Sequence, residues 1–365
     1  MNSTQEIRWK AILSLVFLDL AILISWLAYH EYQPALLTKF QFSEFAVPLA
    51  ILQGIILFIT PPIAGLVADK MVKKGGNRLP VVTIGINFVS MVFMVVAVTI
   101  LFKEPSGIIR WLFPIMVALW LVAMNIFHSP AISTIEMFVP EKKLPIVIAI
   151  FAILADLIAA TEPVLVDIID FFGAPITFAV GGALVFGSGF LFQRASKKLV
   201  ANHDEVMGPP ADEKSSNFLF VFFLGLFVGA FMTCFFKLFP NWMDADPAVL
   251  EIIGIPSGYF TSILIAIAAV FTFPMGILAQ KMGTRKLAII GTIISIMVIS
   301  ALQYTHGRPA LILYGLFPLA FAACSVTFLP IAFDRLEKRH TVFGIGIFFS
   351  GFEVLASLVD VLQLL

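Results

Sequence analysis

The sequence predicts an all-α, polytopic membrane protein made of two related helical bundles, and three observations predict it. Of its 365 residues, 60% are hydrophobic, 38 are phenylalanine and only 13% are charged, whereas a soluble chain carries about a quarter charged residues. Mean hydropathy is +1.02. Eleven apolar runs each approach or exceed the ~20 residues that span a bilayer. A short charged hairpin also occurs twice, once in each half, with an apolar run on either side.

In chain order, the first run covers roughly 10–32. It lacks a small-residue cleavage pattern, so it reads as a retained helix and not a signal peptide. The second, 45–69, leads into the hairpin Gly65-Leu66-Val67-Ala68-Asp69-Lys70-Met71, which continues through Lys73, Lys74 and Arg78. The third, 79–102, opens on Leu79-Pro80, and the fourth, 111–136, on Leu112-Phe113-Pro114. The fifth and sixth are 144–168 and 173–194. The polar stretch up to Ser216, with Pro209-Pro210 and mixed charges, reads as a linker.

The second half gives runs 217–240, 254–280, 286–304, 309–333 and 341–363. Its hairpin is Gly276-Ile277-Leu278-Ala279-Gln280-Lys281-Met282, followed by Arg285. Leu316-Phe317-Pro318 repeats the opening of the fourth run, and Gly225 to Pro240 keeps the 15-position spacing of Asp19 to Pro34. Runs of this length satisfy their own backbone in lipid only as helices. The expected division is a six-helix bundle over 1–195, a linker over 196–216 and a five-helix bundle over 217–365. A sixth helix of the second half is missing, either by truncation or as an eleven-helix variant.

All 23 lysines and arginines except Lys39, Lys103, Arg110, Lys237 and Arg308 fall in segments that share a side with the N-terminus. This bias puts the N-terminus in the cytoplasm of a multi-pass protein of the cell (inner) membrane. Net charge is zero, so no nucleic-acid partner is implied. Cys234 and Cys324 lie in apolar runs and read as reduced packing residues. The five histidines show no metal-ligand spacing, so no metal is expected. No phosphate-binding Gly-Lys-Ser/Thr loop is present, so no nucleotide is expected to drive the protein directly, and no cofactor is expected.

The paired hairpin, the linker and the helix number resemble the major facilitator superfamily over nearly the whole chain. Asp69-Lys70 with Gly76-Asn77-Arg78-Leu79-Pro80, and Asn125 with Pro130 and Pro140-Glu141, are further similar to the sugar–cation symporters of the sucrose and melibiose type. The resemblance implies alternating access around a central site. It also implies gating by the hairpins: Gly65, Asp69, Lys70 and Arg78 in one, Gly276, Lys281 and Arg285 in the other. Asp69 matches the family's loop acid, which docks on the positive N-terminus of the eleventh helix; Gln280 replaces the acid in the second copy. The first and seventh helices close the outer side in that family, which suggests Glu31 and Lys237 as an outer gate pair.

Acids inside the spans mark candidate chemistry, because a charge at the bilayer centre costs roughly 2.5–3.5 kcal/mol unless it faces a cavity or partner. Asp19 falls near mid-membrane, as does the pseudo-symmetric pair Asp156 and Glu353. All three are candidates for proton or cation coupling. Asp19, Trp26, Tyr29, Asn125 and His128 are the candidate solute-binding residues; aromatic faces stack on sugars or flat cations, and an amide bonds hydroxyls. No lysine or arginine is expected mid-helix, which disfavours anionic solutes. Three readings follow: a monomeric proton- or sodium-coupled symporter of a small neutral solute such as a sugar, a proton antiporter exporting hydrophobic or cationic compounds, and a non-transporting receptor or scaffold. None of them is an enzyme.

Overall fold

The computed structural model describes residues 6–101, 107–205 and 215–364. Among these, every regular element is helical, and eleven helices are long and apolar enough to span a membrane. They are α1 (Trp9–Lys39), α2 (Ala46–Lys73), α3 (Leu79–Leu101), α4 (Ile108–Ile132), α5 (Leu144–Ala160), α6 (Ala174–Glu205), α7 (Phe218–Asp244), α8 (Ser257–Met282), α9 (Thr284–Leu302), α10 (Arg308–Asp334) and α11 (Thr341–Leu364).

Two boundaries differ from expectation. The fifth run does not continue to 168: α5 turns at Thr161, and Pro163 opens a separate helix, Glu162–Phe172. Proline has no N–H to give and is tolerated in a helix's first turn. In addition, α6 runs on to Glu205, through the first part of the expected linker. Pro209-Pro210 lies outside the described residues.

In the first half α6 packs on α1 and α3, and α4 on α2 and α3; in the second, α10 packs on α8 and α9, and α7 on α11. The halves meet along two seams, α2 with α11 and α5 with α8. Lipid tails are as apolar as the side chains, so close packing through small residues drives such contacts. Gly225 and Gly229 form a Gly-x-x-x-Gly face on α7; a Cβ on either would run into the carbonyl oxygen of Phe348 or Phe352 on α11. A Cβ on Gly65 would lie 2.7 Å from the Phe343 backbone, and one on Gly276 would lie 3.0 Å from Ala149.

Proline also contributes to the first seam. Pro62 cannot donate to the carbonyl of Phe58 four residues back. Ser350 Oγ, from α11, donates to that oxygen at 2.5 Å.

Gly229→Ala should destabilise the α7–α11 pair by about 1–3 kcal/mol, read as a lower apparent Tm in detergent. Gly187→Ala, where an added Cβ meets nothing within 4 Å, should leave it unchanged.

Candidate functional site

Polar side chains from both halves converge in the crevice between them. Asp19 is the eleventh residue of α1, about 15 Å along its axis. Its Oδ1 lies 3.7 Å from His128 Nε2 on α4. The His128 ring packs against Phe349 of α11, with centroids 4.4 Å apart, and Glu353, one turn further along α11, is within electrostatic range of His128. An acid and an imidazole from one half thus face an acid and an aromatic ring from the other. The Asp19 and His128 side chains are 15% and 25% exposed, so the crevice is accessible and not a sealed core.

A second group lies one to two turns further out. Lys237 pairs with Asp360 of α11. Pro240 leaves the Phe236 carbonyl without its usual donor, and α7 widens there into a π turn over Cys234–Leu238, with Phe239 N–H bonding back to Cys234. Lys237 sits on that turn; such insertions are frequent at functional sites. His30 of α1 keeps solvent access and lies within range of both Lys237 and Asp360. Its ring stacks on Trp26, 5.6 Å between centroids.

Several expected roles are corrected by this geometry. Tyr29 is 4% exposed; it stacks on Trp120 at 4.4 Å and donates to Gln53 Oε1 at 3.0 Å, inside the first half. Asn125 is also buried and donates to the Leu121 carbonyl of its own helix at 2.8 Å. Asn125 is thus held within its own helix, while Tyr29, though buried, lies against His30 and within electrostatic range of Asp360. Trp26 stands half-buried, edge-on to Trp120 and facing His30.

Asp156 does not share Glu353's setting despite its matching position. It is buried in the α5–α8 seam, where Thr272 Oγ1 donates to it at 3.4 Å. Glu31 is not brought to Lys237, which Asp360 holds; Glu31 instead lies beside Glu162. Partial burial, then the Glu31 charge, push the Glu162 carboxyl above its ordinary range. Lys237 lies toward the C-terminal end of α7, where Asp360 offsets its charge.

The hairpins lie at the end of the molecule where α1 begins. Asp69, 4% exposed, accepts from the N–H groups of Val342 at 3.2 Å and Phe343 at 2.8 Å. Both belong to the first turn of α11, where backbone donors lack intrahelical partners. Arg78 is fully buried behind it and bonds Ser133 Oγ at 3.1 Å, with Glu136 at 3.7 Å. In the second copy Arg285 pairs with Asp334, while Gln280 and Lys281, like Lys70 of the first copy, are exposed.

The sequence reading missed His30, Trp120, Phe349 and Asp360. Helical spacing carries part of the signal: His30 stands eleven residues after Asp19, and Asp360 seven after Glu353, which returns each to its partner's face.

Lys237→Ala should leave Asp360 uncompensated and lower apparent stability by about 1–3 kcal/mol. Lys237→Ala with Asp360→Ala should recover most of that loss in thermal unfolding; additive losses would show that the two do not act as a pair.

No protein-family model matches this chain, and no curated protein sequence does. Solved structures do. The human organic anion transporter MFSD10 (TETRAN) superposes with a TM-score of 0.69 at 11% identity, over 99% of this chain and 94% of that one. A bacterial homologue of the iron transporter ferroportin, in its outward-facing state with and without soaked iron, gives 0.66 at 13% identity, over 98% and 91%. At these identities the likeness is one of fold, and the fold of this chain is major-facilitator-like: two helical bundles about a central crevice.

Proposed function

We propose that this chain is a proton-coupled secondary transporter whose solute is a small organic cation or a hydrophobic compound bearing positive charge, exchanged for protons by alternating access. The observation that carries the reading is the Asp19–His128 contact in one half facing Glu353 in the other. Three carboxylates, Asp19, Glu353 and Asp360, share the crevice with one lysine, and the rings of Trp26 and Phe349 offer apolar faces beside them. Acids retained at this depth need a cationic counterpart, and aromatic faces attract cations.

Asp19 and Glu353 are the acceptors that an entering cation meets, with His128 beside both. A cation and a proton compete for these same side chains, so binding of one releases the other. The superposed structures are an organic anion transporter and a homologue of an iron transporter, which supports transport in general.

A sugar symporter is less favoured, because Tyr29 and Asn125, the stacking and hydroxyl-binding groups it needs, are turned into the first bundle. The lysine and arginine bias supports an N-terminus in the cytoplasm.

In proteoliposomes with an imposed pH gradient, a lipophilic cationic dye should move against the proton flow. Asp19→Asn, His128→Gln and Glu353→Gln should each cut that flux about tenfold, a coupling of ~1.4 kcal/mol. Dye flux indifferent to the gradient and to all three substitutions would sink the proposal, and sugar-dependent proton uptake would replace it with symport.

A further inference from the structure

The inner closure is unequal along its two seams. Asp69, four residues after Gly65, is bonded across the first. Gln280, four after Gly276, holds the matching place on the second and is exposed. The second residue of α5, where α11 offers the Val342 N–H, is Pro145, which has none. The acid and one of the two amide donors are missing there, the Ile146 N–H remaining. A cavity of about 760 Å³ opens instead, lined by Lys142, Pro145, Gln280 and Arg285 among others. Polar hold on the inner side therefore falls on the α2–α11 seam.

A second contact crosses that seam. Lys73 Nζ lies 2.9 Å from His340 Nε2, and His340 Nδ1 lies 3.2 Å from Glu337 Oε2. An ammonium group can only donate, so Nε2 must offer its lone pair and Nδ1–H must face Glu337. The contact exists only for neutral imidazole. A second proton would occupy Nε2 and set a positive ring against Lys73, while the bond to Glu337 remained.

The groups around His340 are few. From α2 come Lys73 and, a turn earlier, Asp69; from α7 comes the Phe218 ring, 6.0 Å away. Its own turn adds Glu337, Lys338 and Arg339, and α11 carries no ionisable side chain from Thr341 to Phe352. Imidazole is the side chain that ordinarily changes charge between about pH 5 and 8.

We propose that His340 is an inner-face pH sensor: acidification on that side breaks the Lys73–His340 contact and biases the protein toward opening inward. Among the described residues, no acid-to-amide contact like that of Asp69 is seen on the opposite seam. The inference rests on the closed inner seam and not on the identity of the solute. Its readout is a distance, so its failure would leave the transport reading standing.

The test places spin labels at Lys74→Cys and Lys286→Cys, one in each half, in a Cys234→Ala, Cys324→Ala background in lipid nanodiscs. Between about pH 8 and about pH 5.5 the population with separated inner ends should rise about two- to fivefold, as expected for losing one partly exposed polar contact. His340→Gln, whose amide oxygen still accepts from Lys73, should flatten the response, and Asp69→Asn should keep it. An unresponsive parent, a response unchanged in His340→Gln, or one lost in Asp69→Asn alone would each overturn the proposal.

Discussion

Glycines let α2 and α11 approach backbone to backbone, and the Asp69 carboxylate then bonds the first-turn amides of α11 across the gap. Buried under Asp69, these amides have no intrahelical partner, and a buried unsatisfied donor costs about 1–3 kcal/mol. A carboxylate from the opposite half supplies the acceptors and complements the helix dipole. Arg78, buried beneath it and tied to Ser133 and Glu136, fixes the position from which Asp69 reaches over. The hairpin is thus a built corner of the first half, and its docking registers the second half against it.

That registration determines what meets at mid-depth. With α11 held along α2, Phe349 comes against His128 and Glu353 faces the Asp19–His128 pair. Seven residues further along α11, Asp360 reaches Lys237, which the Pro240-induced π turn carries. The crevice is therefore lined by two polar tiers, each containing groups from both halves.

The two seams show how a duplicated architecture becomes directional. Both keep a glycine at the close approach, and both keep an arginine–acid pair behind the hairpin. Among the described residues, only one keeps the acid that makes a latch. A symmetric pair of latches would share the load; one latch makes the inner side sensitive to a single set of contacts, Asp69, Lys73 and His340.

The sequence alone determined the helical class, the eleven spans, the paired hairpins and the presence of acids within the spans. Bilayer thickness and backbone satisfaction act on length and composition, which are readable along one dimension. The partners of those acids were not readable. Glu31 and Lys237 match by position, yet Lys237 turns to Asp360; Tyr29 and Asn125 have the right chemistry for a solute, yet α1 and α4 turn them into their own bundle. Asp156 and Glu353 match in register, but Asp156 is buried beside Thr272 whereas Glu353 is half-buried near His128. Only the tertiary structure decided these, because rotation of a helix about its axis is set by the close approaches of its neighbours, and in a chain apolar on nearly every face the hydrophobic pattern carries little record of that rotation.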